Sequence, residues 1–158
     1  MIKYRNPTVQ EVTAQKDAVT ALFADVLRLN FPEAPDILEK AADSFNSMVR
    51  YIADHSAIVY CAFLEDKIVG FLWAYIRRFM GKTRIHVDEF VVSHEYRGQG
   101  IGKALLKKLE ERAASEGIRE IELLVSLSSA SGLAFYQANG FETERYWMKK
   151  EMEIRDDQ

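Results

Sequence analysis

Cysteine is almost missing from this chain, proline is scarce, and charge of one sign nowhere accumulates. The single Cys61 lies inside the apolar run 58–63, so it reads as a small core residue and an internal disulfide is excluded. A formal net charge of −3 with no basic block gives no electrostatic footing for nucleic acid. No apolar run is long enough to cross a bilayer, and the N-terminus lacks an apolar signal region. The expectation is a cytoplasmic protein with neither nucleic-acid nor membrane partners, and no metal site. Internal repeats and low-complexity stretches are also missing. What remains, at 48% hydrophobic and 28% charged residues over 158 positions, is the composition of one soluble domain with a real core. Residues 1–154 read as that domain, 155–158 as a loose tail, and the mildly acidic balance suits cationic substrates.

The run Arg97-Gly98-Gln99-Gly100-Ile101-Gly102-Lys103 is the most informative feature. It follows the β-branched segment ending Phe90-Val91-Val92 and opens onto apolar residues at helical spacing, Ala104-Leu105-Leu106-Lys107-Lys108-Leu109. A strand, a glycine turn and a helix start make an anion site from backbone. The first helical N–H groups lack internal partners, and the helix dipole adds positive charge there. Glycines let a phosphate approach closely, and Arg97 and Lys103 add countercharge. A dinucleotide fingerprint is excluded because the third glycine comes one residue early. A Walker loop is excluded because Arg97 and Ala104 stand where glycine and Ser or Thr are needed. A pyrophosphate cradle or a tight turn that binds nothing are the readings left.

The expected order is strand, two helices, three strands, helix, strand, helix and a final strand or hairpin. Residues 2–5 form the first strand. Thr8 and Glu11 suit a capping box for a helix carrying Val12, Val19, Leu22, Phe23, Val26 and Leu27. Asn30, Pro32 and Pro35 break it, and Asp36 starts a second helix to about residue 53. A hairpin of 57–64 and 68–78 comes next, then a strand over 83–92. The glycine-loop helix ends at Gly117, residues 118–125 form a strand, and 131–139 a short helix ended by Gly140. Residues 141–152 are expected to close the sheet. The fold class is α/β (α+β), with a mixed, mostly antiparallel sheet and helices on both faces.

That order and the loop resemble the GNAT superfamily of acyl-CoA-dependent N-acetyltransferases. The matching residues are the run 91–106 around the glycines, and Ala134-Phe135-Tyr136-Gln137-Ala138-Asn139-Gly140-Phe141 as a second signature. The resemblance covers roughly residues 65–150. Three positions depart from the pattern: His94 for a frequent proline, Ser129 for a cofactor-contacting asparagine, and Gly132 for alanine. The resemblance implies about six to seven strands and about four helices, splayed between the fourth and fifth strands. It implies acetyl-CoA as donor. The pantetheine arm would pair with Phe90, Val91 and Val92, the pyrophosphate with Arg97, Gly98, Gln99, Gly100, Ile101, Gly102 and Lys103, and Ser129 and Tyr136 would lie beside the donor. A homodimer is left open.

Direct attack on a thioester needs a neutral amine, and aliphatic amines have a pKa of about 10.4, so a base or desolvation must supply it. Strand alternation places Arg84, His86, Asp88, Phe90 and Val92 on one face and Ile85, Val87, Glu89 and Val91 on the other. Asp88 is therefore favoured as the base, acting through water, while a bulge would re-aim Glu89 instead. Asp88 could also simply pair with Arg84 or His86. Tyr136 is the candidate acid for the leaving thiolate, or else a core tyrosine beside Phe135 and Phe141. The oxyanion would rest on a backbone N–H near Val91 or Val92. The leading function is transfer of acetyl to a primary amine. Lysine or N-terminal acetylation of proteins and a non-catalytic CoA sensor are the alternatives. The acceptor, whether small molecule, polyamine, aminoglycoside, peptide or protein, is not legible.

Overall fold

The computed structural model describes residues 1–155. Five strands, β1 (Ile2–Arg5), β2 (Ile58–Leu64), β3 (Lys67–Phe79), β4 (Lys82–Val92) and β5 (Glu120–Leu123), lie side by side in chain order. All neighbours are antiparallel except β4 and β5, which are parallel and joined through a helix. The helices are α1 (Val9–Ala14), α2 (Lys16–Asn30), α3 (Ile37–Ala53), α4 (Ile101–Ser115) and α5 (Ala130–Ala138). This is the expected mixed sheet with helices on both faces.

The two faces carry separate cores. On one, α1–α3 bury Val12, Phe23, Phe45 and Met48 against Phe71 and Trp73, with the Phe23 and Phe71 rings 4.7 Å apart. The α3 positions Ala41, Phe45 and Met48 recur at helical spacing, which is why that stripe faces inward. On the other face, Leu105, Leu109 and Ala113 of α4 pack on Ala62, Leu72, Ala74 and Ile85. Strands covered on both sides need apolar residues at consecutive positions, and Ile68–Ala74 is buried without interruption. Each large side chain so buried contributes about 1.5–3 kcal/mol.

Three expectations need correction. The first helix is broken in two at Gln15, making five helices rather than four. Its side chain accepts from the Ile68 N–H and donates to the Asp66 carbonyl, both at 2.8 Å. This clamp on the β2–β3 turn holds Gln15 at φ −114°, ψ 29°, outside helical geometry.

The simple alternation along β4 also fails. Trp73 pairs with Glu89 but Ala74 pairs with Val87, so Asp88 is the extra residue of a bulge. Before it, Ile85 and Val87 face α4; beyond it, Phe90 and Val92 face α4 while Val91 joins the α1–α3 core.

Residues 141–155 form no strand, so among the described residues the sheet has five strands rather than six or seven. They leave α5 at Gly140 (φ 88°) and are held by an ion pair of Glu144 with Arg84 at 2.9 Å. The Arg145 guanidinium lies 4.5 Å from the Phe79 ring centroid. These contacts fasten the chain near the β3–β4 hairpin instead of along β5, and residues 146–155 have no backbone partner among the described residues. Of the expected tail, residues 156–158 lie outside the described residues.

Candidate active site

The parallel pairing of β4 with β5 runs only from Arg84↔Glu120 to Val87↔Leu123. Past that point the two strands part, and among the described residues the β4 edge from Asp88 to Val92 has no neighbour on this side. A cleft of ≈ 620 Å³ opens in the gap. Its walls are the end of β4, the glycine loop, Leu123 to Val125, Ser129, the inner side of α5 and the last turn of α2.

Below the cleft the loop is built as the sequence suggests. A 3₁₀ turn at His94–Tyr96 follows β4, and the Arg97 guanidinium donates to the Val92 carbonyl at 2.9 Å, tying loop to strand. Gly98 (φ 75°) and Gly100 (φ 81°) take left-handed conformations that a side chain resists. Gly100 is the N-cap of α4, supplies no side-chain acceptor, and is followed by no acidic residue in the first turn. The first N–H groups of a 15-residue helix are thus left for an outside anion. At Gly102 the constraint is a close contact rather than a positive φ: a Cβ there would sit 3.3 Å from the Phe135 ring, which would have to give by a few tenths of an ångström.

The bulge sends the two neighbouring carboxylates in different directions, although both border the cleft. It turns Glu89 to the α1–α3 side of the sheet, against Trp73, and burial lifts its pKa to about 8, with the neighbouring Asp88 charge adding to the shift. Asp88 stands on the exposed outer side of the bulge, its pKa raised by partial desolvation and pulled back by His86. Tyr136 sits in an aromatic nest, 6.2 Å from the Phe90 ring, 5.4 Å from Phe135 and 5.5 Å from Phe141. Burial, then the charge of Glu89, pushes its phenol up to about 12, so it is a proton donor throughout the working range.

Along the same sheet face, His86 lies 5.1 Å from the Tyr75 ring and 3.8 Å from Glu122, and its buried Nδ1 has no hydrogen-bond partner. Glu122 is bound by Arg77 at 3.0 Å, and Glu120, held below the usual carboxylate range by Arg84, completes a charged floor.

Of the residues singled out from sequence, Asp88, Glu89, Phe90, Val91, Val92, Arg97, Gly98, Gly100, Ile101, Gly102, Lys103, Ser129 and Tyr136 line this one cleft. Gln99 does not. Sequence reasoning missed the α2 contribution of Val26, Leu29 and Asn30. The Asn30 amide bonds the Val26 carbonyl at 3.1 Å and accepts from the Ser126 N–H at 3.5 Å, and the Ser128 hydroxyl donates to the Leu29 carbonyl at 2.6 Å. These bonds tie the end of α2 across the gap to the β5–α5 loop. In sequence, Asn30 signals only a helix end.

Ser129 and Gly132, two departures from the family pattern, belong together. Ser129 is buried, and a Cβ at position 132 would lie 2.6 Å from its Oγ. The serine occupies the space an alanine would need. Among the described residues no group of three His, Cys, Asp or Glu is placed to hold a metal ion, and no helix is long and apolar enough to cross a membrane.

Comparison with known proteins gives one family. The model of the Acetyltransferase (GNAT) family matches residues 18–141. An L-2,4-diaminobutyric acid acetyltransferase of Nocardia farcinica is 30% identical over 113 residues, 67% of this chain and 58% of that one. An uncharacterized N-acetyltransferase of Bacillus subtilis is 30% identical over 88 residues, 56% of each chain. The matched stretch therefore spans little more than half the length of these curated relatives. Among solved structures, an acetyltransferase of Clostridium acetobutylicum with acetyl-CoA superposes at a TM-score of 0.72, 18% identical, covering 96% of both chains.

Proposed function

The chain belongs to the GNAT family of acetyltransferases, and on that premise we propose that it moves an acetyl group from acetyl-CoA to a primary amine by direct attack. The observation that carries the proposal is one cleft shared by an anion-ready helix start, an unpaired strand edge, a carboxyl of raised pKa (Glu89) and a buried phenol (Tyr136). The α4 N-terminus and the Gly98–Gly100 backbone hold the pyrophosphate, with Arg97 and Lys103 as countercharge. The open β4 edge from Phe90 to Val92 offers backbone groups to the pantetheine arm, as an added strand would use them.

Glu89 is the base. A carboxyl with a pKa of about 8 is ionised in only about a tenth of molecules at pH 7 and in half at pH 8, but that ionised fraction is basic enough to take a proton from an ammonium, directly or through water. The freed nitrogen pair attacks the thioester carbonyl, and a backbone N–H of Val91 or Val92 stabilises the oxyanion. On collapse the C–S bond breaks and Tyr136 gives its proton to the thiolate; the nitrogen passes its second proton through water to the resulting phenolate, which restores Tyr136, Glu89 returns its proton to solvent, and amide and CoA thiol leave. Asp88 acts by tuning Glu89 with its charge rather than by touching the amine.

The acceptor is a small amine bound along the face that continues from Glu89 past His86 and Tyr75. The diaminobutyric acid named for the Nocardia relative is of that class. Thiol release from acetyl-CoA, measured against a panel of diamines, amino acids and peptides, tests the reading. Turnover that depends on a small amine supports it. Tight acetyl-CoA binding with no turnover on any acceptor contradicts it and favours a sensor.

A further inference from the structure

On the side to which Glu89 turns, the cleft is walled by apolar groups. The end of α2 contributes Val26 and Leu29, and Leu124 joins them just past the end of β5. The one polar side chain of that α2 wall is Asn30, and its amide is committed at both ends, to the Val26 carbonyl at 3.1 Å and the Ser126 N–H at 3.5 Å. The same ties bring Phe31 and Leu127 to the mouth. Phe31 follows Asn30, and Leu127 lies between Ser126 and Ser128, which bond Asn30 and Leu29. Phe31 is 56% exposed, Leu124 65% and Leu127 97%. Large apolar groups gathered at the mouth of a cleft, rather than scattered, mark a surface that a ligand covers.

The charges on the neighbouring sheet face are already matched. Arg77 holds Glu122 through both carboxylate oxygens. Arg84 holds Glu120 and Glu144, with Lys82 on Glu120 at 3.2 Å and Arg145 on Glu144 at 3.9 Å. Arg84 also stands roughly 15 Å along β4 from Glu89, at about 3.3 Å per residue, out of reach of a short chain. Asp88 has no ion-pair partner among the described residues, but the bulge directs it away from the side that Glu89 faces. Glu33 and Asp36, in the loop after Phe31, lend the mouth negative charge that draws an ammonium inward. A second charge on that ligand would enter the apolar wall without a partner, which is costly, whereas apolar atoms find a matching surface.

We propose, on the acetyl-transfer reading of this cleft, that its acceptor is a monoamine with an uncharged apolar body. The nitrogen lies at Glu89, the body against Val26, Leu29 and Leu124, and the outer end between Phe31 and Leu127. The assignment separates this chain from acceptors of the diamine and amino-acid kind, which carry a second charge a few bonds from the reacting nitrogen. Selection comes from two sides: the wall rewards each added methylene, and the matched floor offers a second charge no partner.

The test is kcat/KM for thiol release with hexylamine, cadaverine and δ-aminovalerate, amines of nearly equal length whose far ends are apolar, cationic and anionic. Hexylamine should lead both by roughly tenfold or more, and the value should rise steadily from propylamine to hexylamine. Leu127→Glu, at an exposed position, should leave acetyl-CoA affinity unchanged in a titration and cut the hexylamine-to-cadaverine ratio several-fold. Cadaverine or δ-aminovalerate equal to hexylamine or ahead of it overturns the assignment while leaving acetyl transfer standing. So does a peptide with an apolar N-terminal residue that is used in preference to every small amine. A ratio that Leu127→Glu leaves unmoved overturns it too, because the preference then arises elsewhere. No turnover on any amine, with acetyl-CoA bound, removes the acetyl-transfer reading itself and this assignment with it.

Discussion

The chain up to α4 and the chain after it are built on different terms. The first region closes two cores, one under α1–α3 and one under α4, and every buried apolar side chain of the described residues lies in it, the last being Ala113. After Ala113 the one buried residue is Ser129, β5 is half-buried along its length, and α5 buries nothing completely. The lesson concerns where chemistry can be placed. The closed region fixes the β4 bulge and the α4 start, whereas the half-buried open region supplies the wall carrying Tyr136. The cleft is the seam between the two. A site in the closed region would have no room, and one wholly in the open region would have no rigid frame.

Stability measurements should separate the regions most strongly. Phe71→Ala empties a position sealed between Phe23 and the sheet and should cost about 3–5 kcal/mol in urea unfolding. Leu123→Ala, in half-buried β5, should cost about 1 kcal/mol. Equal losses would break the distinction.

A second contrast lies in the cleft. Tyr136→Phe keeps the ring in its aromatic nest and removes only the proton donor. It should lower kcat by roughly 10²-fold with acetyl-CoA affinity nearly unchanged in a binding titration. Equal loss of both would mean that the phenol serves packing.

Smaller still is the coupling of Ser129 with Gly132. Gly132→Ala should destabilise by roughly 1 kcal/mol because the new Cβ meets the buried hydroxyl. Combined with Ser129→Ala the loss should vanish, and the better helix former should leave the double variant more stable by up to about 1 kcal/mol. Additive losses would show that the two positions are independent.

Much of this fold is legible in the sequence. The hairpin around residues 65–67, the break at Pro32 and Pro35, and the glycine loop each rest on local chemistry, and each stands where expected. What escapes is set by contacts distant in sequence. The helix break at Gln15 depends on Asp66 and Ile68, 51 and 53 residues away. The bulge at Asp88 depends on the register with β3, and strict alternation along β4 therefore favours the wrong face for Phe90 and Val92. Asn30 reaches Ser126 across 96 residues. Residues 141–152 are the reverse case: they read as a strand that closes the sheet, but a strand pattern does not supply a partner, and residues 146–155 have no backbone partner among the described residues.

Glu89 joins the two regions, because its carboxyl is set by the closed frame and its charge helps to raise the Tyr136 phenol in the open wall. Its raised pKa has a thermodynamic consequence. A carboxyl that titrates near 8 when folded and near 4.5 when unfolded stabilises the fold fully below pH 4.5, and that contribution is lost as pH rises through about 8. Glu89→Gln should therefore gain stability over wild type between pH 5 and 9. The decisive measurement is the pH dependence of kcat/KM for thiol release, with an acceptor whose amine titrates at about 10.4. Wild type should rise through an inflection near 8, and Glu89→Gln should lose that inflection and about 10²–10⁴-fold in rate. Retention of both in Glu89→Gln, with Asp88→Asn abolishing them instead, would contradict the assignment.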